Sequence, residues 1–193
     1  LFSIIGAWSD LLWPLIVLQS RDSMTLPVAV NALMGTFSTN ARAAYAGAVL
    51  SRVQDVVSTG ARDFLKLDSG MTEILRPSLY GAQHPVHLYP AAPAARRRDY
   101  VVVGHCCESG DLISCAPGEP ETLATRSLPE AAVGDLCVIG GAGAYCAAMS
   151  TKNYNSFPEA PEVLLRRDGA FALIRRRQSL EQILQNEQPA EGL

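Results

Sequence analysis

Short apolar runs, each closed by turn residues, fill the chain from residue 46 onward and leave little room for long helices. Residues 49–57 alternate in polarity as a strand does, and Ser58-Thr59-Gly60 follows as a turn pattern. Residues 63–67 form the next run, and Asp68-Ser69-Gly70 ends it. Strands at such regular spacing are typical of an all-β barrel or sandwich. We therefore predict a mainly β domain.

The same patterns predict the later elements. Strands are expected at residues 100–103, 112–115 and 136–139, with an extended segment at 84–89 and a polar loop at 116–129. One helical turn is expected at 71–75, before Pro77. Asp168-Gly169 is a strong hairpin signal between residues 162–167 and 170–177, and Ser179-Leu180-Glu181-Gln182 is a capping box that opens a short helix.

Bulk composition excludes some partners. The net charge of −3 gives no basis for a nucleic-acid partner. The five cysteines form no C-x-x-C pair and are odd in number, so neither a zinc site nor a disulfide framework is indicated. The three histidines have no metal-ligand spacing. A reducing, cytoplasmic compartment is the expectation, and no metal is expected.

Residues 104–111, Gly-His-Cys-Cys-Glu-Ser-Gly-Asp, follow the apolar run 100–103 and place a thiol beside a carboxylate. A strand end that presents Cys107 and Glu108 together is suited to proton transfer. The alternative is a buried cysteine followed by a simple turn, because free cysteine usually behaves as a small buried hydrophobe. The residues themselves leave both interpretations open.

Several motifs occur in one order along the chain. They are Asp68-Ser69-Gly70-Met71, Arg76-Pro77-Ser78-Leu79-Tyr80-Gly81-Ala82-Gln83-His84, Cys107-Glu108-Ser109-Gly110-Asp111, Gly134-Asp135-Leu136, Gly141-Ala142-Gly143-Ala144-Tyr145, and residues 149–158. Together they resemble the C-terminal half of the diaminopimelate decarboxylase family, which uses pyridoxal phosphate and has an alanine-racemase-like fold. The resemblance covers residues 46–188. It implies a C-terminal β-barrel or β-sandwich domain, beside a TIM-like barrel that holds the cofactor lysine.

The resemblance also implies roles for individual residues. Cys107 would be the acid that protonates the α-carbon, Glu108 would pair with the distal ammonium of the substrate, and Arg76 and Tyr80 would bind its distal end. Tyr145 would contact the cofactor and substrate. Without the resemblance, Glu108 is an exposed turn carboxylate, Arg76 a surface ion-pair residue and Tyr145 a core aromatic.

Residues 1–45 differ from the rest of the chain. Residues 1–18 form a largely apolar segment that Asp10 interrupts. A membrane-spanning helix needs roughly 20 mostly apolar residues, and this segment falls short of that. Residues 6–16 and 25–28 resemble the late part of a sugar-type ABC transporter permease. We expect a helical, permease-like remnant at 1–45, joined to a decarboxylase C-terminal β-domain at 46–193.

The resemblance implies that the complete enzyme converts meso-diaminopimelate to L-lysine and carbon dioxide. It implies a homodimer with composite active sites, no nucleic-acid partner and no membrane, and we expect the chain alone to be inactive. Two alternatives remain: a non-catalytic β-domain that only dimerises with a complete enzyme, or the remnant of an ABC transporter permease.

Overall fold

The computed structural model describes residues 15–18, 47–92, 96–166 and 169–188. Within these ranges the chain is mostly strands, with two short α-helices, α1 (Arg76–Tyr80) and α2 (Leu180–Leu184), and one 3-10 turn at Tyr154–Ser156. The strands, in chain order, are β1 (Leu15–Leu18), β2 (Ala48–Ser58), β3 (Asp63–Leu67), β4 (Val86–Tyr89), β5 (Arg97–Val103), β6 (Cys115–Ala116), β7 (Glu119–Leu123), β8 (Arg126–Pro129), β9 (Leu136–Ile139), β10 (Glu162–Leu165) and β11 (Phe171–Arg175).

Strand β2 connects the two parts of the main sheet. Its first half pairs antiparallel with β9 and parallel with β1, and its second half pairs antiparallel with β3. The register shifts between Val53 and Asp55, where one half gives way to the other. Beyond β3 the sheet continues through β5 to β8, and beyond β1 through β10 to β11. A long strand with a register shift lets the sheet bend, which is how barrel-like sheets curl around a core.

Both faces of the first half of β2 are buried, and its successive side chains point to opposite sides of the sheet. Val49 and Val53 belong to the larger core cluster, whereas Ala48 and Leu50 pack with Val138 and Leu165 on the other face. The larger cluster also contains Leu65, Leu67, Ile74, Leu88, Tyr100, Val102, Ile113, Leu128, Cys137, Ile139, Ala142 and Cys146. The fold is thus a mainly β domain with its core inside a curled sheet, as the sequence predicts.

Several predicted elements are confirmed. The strands expected at 49–57, 63–67 and 136–139 are β2, β3 and β9. The hairpin is β10–β11, with Gly169 at φ 82°. The Arg166 N–H donates to the Ala170 carbonyl at 2.8 Å, and the Gly169 N–H donates to the Arg166 carbonyl at 3.0 Å. The capping box at Ser179 and Gln182 opens α2.

The polar loop predicted at residues 116–129 is wrong, because that stretch contains β7 and β8. Both strands lie at the outside of the fold, so polar side chains are compatible with them, and only Leu128 of β8 is fully buried. The strand predicted at 112–115 is reduced to an isolated bridge between Val103 and Leu112 and to the two-residue β6.

The helical turn predicted at 71–75 is misplaced. Residues 71–73 form a non-helical turn, and α1 begins at Arg76 with Pro77 in its first turn. Proline is tolerated there because the first N–H groups of a helix have no intrahelical partner. Gly81 ends α1 in the left-handed region at φ 61°. Pro77 therefore lies in the first turn of this helix and does not end a preceding one.

Of the permease-like residues 1–45, the structure describes only Leu15–Leu18. These four residues are strand β1, where a helical segment was expected, and they pair with β2 and β10. A short, wholly apolar run fits either helix or strand, and the β-branched Ile16 and Val17 favour a strand. The remainder of the expected segment lies outside the described residues. No helix in the described part of the chain is long and apolar enough to cross a membrane.

Candidate active-site turn and its surroundings

The buried carboxylate of Asp111 closes the turn that follows β5. This turn, residues 104–111, is called the cysteine turn below. It accepts hydrogen bonds from the backbone N–H of Cys106 at 2.9 Å and of Met71 at 2.7 Å, and Asp111 is only 2% exposed. The backbone N–H of Gly104 also donates to the Asp111 carbonyl at 2.9 Å. Burial raises the pKa of this carboxyl, and the two N–H donors oppose that rise. Asp111 thus ties the cysteine turn to the loop that follows β3.

Two glycines make room for that carboxylate. A Cβ atom at Gly104 or at Gly70 would overlap the carboxyl group of Asp111. Neither glycine has a positive φ, so the requirement at both positions is one of space rather than of backbone conformation. The glycine residues of these two motifs are therefore explained by close approach to Asp111.

The two neighbouring cysteines have different environments. Cys107 is exposed, and its backbone N–H donates to Oδ1 of Asn155 at 2.8 Å. Cys106 is half-buried, and burial, followed by the nearby Asp111 carboxylate, raises the pKa of its thiol to about 12. The buried cysteine considered as an alternative does not describe Cys107. Of the pair, Cys107 presents its thiol to solvent.

Glu108 is an exposed carboxylate with three local donors, the weakest of which is the Ser109 hydroxyl at 3.4 Å. Its Oε1 accepts from the backbone N–H of Gly110 at 3.0 Å, and its Oε2 accepts from the hydroxyl of Tyr154 at 3.2 Å. The Gly110 N–H, followed by the Tyr154 hydroxyl, lowers the pKa of Glu108, and the same contact raises the pKa of Tyr154. Glu108 is therefore ionised and exposed beside Cys107, where a cation can reach its carboxylate.

A second group is built on helix α1. The guanidinium carbon of Arg76 lies 5.7 Å from the ring centre of Tyr80 and 5.9 Å from that of Tyr145. Tyr80 is 56% exposed and Tyr145 is 59% exposed. Tyr145 is thus not the core aromatic considered as an alternative. The planar cation of Arg76, flanked by two accessible tyrosines, is suited to binding a carboxylate.

One connecting segment contributes to both groups. It supplies Tyr145, at φ 57°, to the Arg76 group, and it supplies Tyr154 and Asn155 to the cysteine turn. The contacts described above run within each group, and none of them joins Arg76 to Cys107. The structure brings Cys107 and Glu108 together, and separately brings Arg76, Tyr80 and Tyr145 together.

Comparison with known families identifies the domain. Residues 20–143 match the family model described as the pyridoxal-dependent decarboxylase C-terminal sheet domain. The chain belongs to this family.

Two relatives of this sheet domain are diaminopimelate decarboxylases. The diaminopimelate decarboxylase of Escherichia coli K12 is 40% identical over 147 residues, which are 73% of this chain and 34% of that protein. The diaminopimelate decarboxylase of Deinococcus radiodurans is 46% identical over 140 residues, 72% of this chain and 33% of that protein. The chain spans about a third of the length of the curated relatives that it matches.

Solved structures agree with the sheet-domain fold. A crystal structure of diaminopimelate decarboxylase superposes with a TM-score of 0.67 at 31% identity, covering 88% of this chain and 44% of that one. The Helicobacter pylori diaminopimelate decarboxylase complexed with L-lysine has a TM-score of 0.59 at 30% identity, covering 72% of this chain and 31% of that one. The expected C-terminal β-domain of a pyridoxal-dependent decarboxylase is confirmed.

Four residues that shape the cysteine turn had no role that could be predicted from the sequence. These are Thr72, Asp111, Tyr154 and Asn155. Only the residue type of Asn155 could have pointed to its special backbone conformation. Asparagine adopts the left-handed region more readily than most residues, and Asn155 has φ 51°. Thr72 carried no such signal, since its role depends on a contact with His105 across the fold.

His105 anchors the start of the turn. Thr72 donates its single hydroxyl proton to Oε2 of Glu73 at 2.6 Å, so Nε2 of His105, 2.7 Å from the same hydroxyl, donates to it. The His105 ring also stacks on Phe157 with centroids 3.7 Å apart. Burial, followed by the charge of Lys66, lowers the pKa of His105 to about 4. His105 is thus a neutral, buried support for the turn.

Proposed function

We propose that this chain is the C-terminal domain of a diaminopimelate decarboxylase, whose complete form converts meso-diaminopimelate to L-lysine and carbon dioxide. The observation that carries the proposal is the exposed Cys107 next to the exposed, ionised Glu108 on one braced turn. The names of the relatives support the reaction. The L-lysine in the complex of the Helicobacter pylori relative is the product that this reaction would release.

Pyridoxal phosphate is the cofactor that the family implies, and the chain fits the edge of a site for it. Tyr145 is exposed and follows the small residues Gly141-Ala142-Gly143-Ala144, which allow a ligand to approach closely. Tyr145 would contact the cofactor, and Arg76 lies beside it. In the family the cofactor lysine belongs to the TIM-like barrel, so we expect that domain to supply it. When bound, the cofactor withdraws the electrons of the bond that releases carbon dioxide.

Cys107 would hold the proton that replaces the lost carboxyl group. A thiol is a suitable acid near neutral pH, and this one is reached from solvent. Its Sγ would give its proton to the α-carbon and would then take a new proton from water. Because the backbone N–H of Cys107 is bonded to Asn155, the position of this residue is defined before any substrate arrives.

The distal end of diaminopimelate carries both an ammonium and a carboxylate, and the chain offers a group for each. Glu108 would bind the ammonium, since its carboxylate is ionised and exposed. Arg76 and Tyr80 would bind the carboxylate end through the guanidinium fork and the hydroxyl. Such a pair of opposite charges would select a substrate that has both charges at that end.

The complete enzyme would be a homodimer in which Cys107 and Glu108 enter the active site of the partner subunit. Their exposure on a turn at the outside of the fold suits such a shared site. All five cysteines of the chain are free, which is typical of a reducing compartment, and we place the enzyme in the cytoplasm.

A chimaera tests the proposed function. Residues 47–188 would replace the matched part of the Escherichia coli enzyme, and carbon dioxide release from meso-diaminopimelate would be measured, with L-lysine and ornithine as comparison substrates. We expect activity on diaminopimelate, and a loss of about a hundredfold or more in Cys107→Ala. Cys106→Ala is the matched control and should stay active. A dimeric chimaera that keeps full activity in Cys107→Ala would make the domain a non-catalytic dimerisation module.

A further inference from the structure

One segment contacts the cysteine turn at three successive places. The hydroxyl of Tyr154 donates to Glu108 at 3.2 Å, and Oδ1 of Asn155 accepts from the backbone N–H of Cys107 at 2.8 Å. Two residues further on, the ring of Phe157 stacks on His105. We call residues 153–157 the bracing segment. The turn's acid, its carboxylate and its buried histidine each have a partner in this segment.

The bracing segment holds a costly backbone conformation. Asn153, Asn155 and Ser156 have φ values of 60°, 51° and 63°, in the left-handed region. Residues other than glycine are strained there and persist only where their surroundings impose the conformation. Nδ2 of Asn153 donates to the carbonyl of Phe157 at 3.0 Å, which closes the segment on itself. This conformation aims Oδ1 of Asn155 at Cys107.

Beyond Phe157 the chain is fastened to the sheet. Glu159 forms ion pairs with Lys152 at 2.8 Å and with Arg175 of β11 at 3.3 Å, and its backbone N–H donates to Gln178 at 3.0 Å. The bracing segment is therefore supported from both ends. Its contacts with the turn are those of a fixed support rather than of a loose loop.

We propose that Tyr154 and Asn155 are positioning residues for the reaction, Tyr154 orienting the Glu108 carboxylate toward a substrate ammonium and Asn155 fixing the backbone of Cys107. The inference rests on the proposed function, because it assigns these two residues to the same site. Tyr154 donates to Oε2 of Glu108, and Gly110 and Ser109 donate to Oε1, so the carboxylate is held in one orientation. Asn155 removes the freedom of the Cys107 peptide, so the thiol starts from one backbone position.

The first test uses the full chain and needs no activity. NMR would follow the titration of the Glu108 carboxyl in the native chain, in Tyr154→Phe, and in the control Tyr89→Phe. Tyr154, Ser109, Gly110, Asp111 and Cys106 face Glu108, and only the hydroxyl of Tyr154 changes between the first two proteins. We expect the pKa of Glu108 to rise in Tyr154→Phe and to stay in place in Tyr89→Phe.

The second test uses the chimaera described above. Tyr154→Phe should raise KM for diaminopimelate about threefold to tenfold and leave kcat within about twofold, because substrate binding is what it orients. Asn155→Ala should lower kcat about tenfold, and Asn155→Asp, which keeps the acceptor oxygen, should recover most of that loss. Asn186→Ala is a control on an exposed asparagine outside the site. A purely structural role would not divide KM from kcat in this way.

Separate outcomes distinguish the two proposals. An active chimaera in which Tyr154→Phe and Asn155→Ala both match the native kinetics would overturn the inference and leave the proposed function standing. An inactive native chimaera would count against the proposed function. The titration then still tests the assignment of Tyr154: a raised pKa of Glu108 in Tyr154→Phe supports it, and an unchanged pKa overturns it.

Discussion

The carboxylate of Asp111 accepts a hydrogen bond from the backbone N–H of Met71 at 2.7 Å, across forty residues of chain. This contact joins the motif after β3 to the motif after β5. The same carboxylate is bonded to the N–H of Cys106, one residue before the candidate acid. Two stretches that look like separate motifs in the sequence are therefore one structural unit around a buried carboxylate.

Gly104→Ala should destabilise the fold by about 1–3 kcal/mol, because the new Cβ would overlap the Asp111 carboxylate. Gly140→Ala is the matched control. Its Cβ would meet Pro85 at 3.6 Å, which is ordinary contact, so a change within about 0.5 kcal/mol is expected. Urea unfolding of the two variants measures the difference. Equal stability of both variants would contradict the packing described for Asp111.

Alkylation should separate the two neighbouring cysteines. Iodoacetamide at pH 8 should modify Cys107 first in the folded chain, since it is exposed, whereas burial and Asp111 raise the pKa of Cys106 to about 12. Cys115, Cys137 and Cys146 are buried. Peptide mass spectrometry locates the modification, and Cys107→Ser should remove it. Modification of Cys106 at the same rate as Cys107 would show that the two thiols do not differ as described.

The buried His105 should make stability depend on pH. Its pKa is lowered to about 4 in the folded chain, against 6.5 for the unfolded chain, so it favours folding most above pH 6.5. As the pH falls from 6.5 to 4, the unfolded chain takes up the proton first and this contribution is lost. The stability difference between the native chain and His105→Phe should shrink by about 1–2 kcal/mol over that range, allowing for solvent screening.

The control for that titration is an exposed histidine. His84 is also buried with a lowered pKa and would change stability in the same direction, so His87 is the better comparison. Urea unfolding at several pH values, compared between His105→Phe and His87→Asn, isolates the contribution of His105. A difference that stays constant from pH 7 to pH 4 would mean that His105 is not held neutral by burial.

Much of the fold followed from apolar patterning, and the exceptions have physical reasons. Strands such as β2 and β9 bury enough side chains to show their period in the sequence. Strands β7 and β8 were missed because strands at the outside of a sheet need few apolar residues. Helix α1 was misplaced because Pro77 was taken as a helix stop, although proline is equally compatible with the first turn.

The site was predicted in part for a similar reason. Cys107 and Glu108 are adjacent in sequence, so their joint presentation could be inferred from one motif. Tyr154 and Asn155 lie more than forty residues later, and nothing in their local pattern indicates which atoms they meet. The left-handed backbone that directs Asn155 to Cys107 depends on tertiary contacts. Pairings of this kind become visible only when the chain is folded.

Mixed dimers test most directly whether this domain completes a partner's active site. One chimaera would carry Cys107→Ala, the other would lack the cofactor lysine of its barrel, and each alone should be inactive. Co-expressed, half of the random dimers contain one of each, and one intact composite site in each of these should restore about a quarter of the native carbon dioxide release. No recovery, in mixtures shown to contain the mixed dimer, would contradict the claim that Cys107 acts across the subunit boundary.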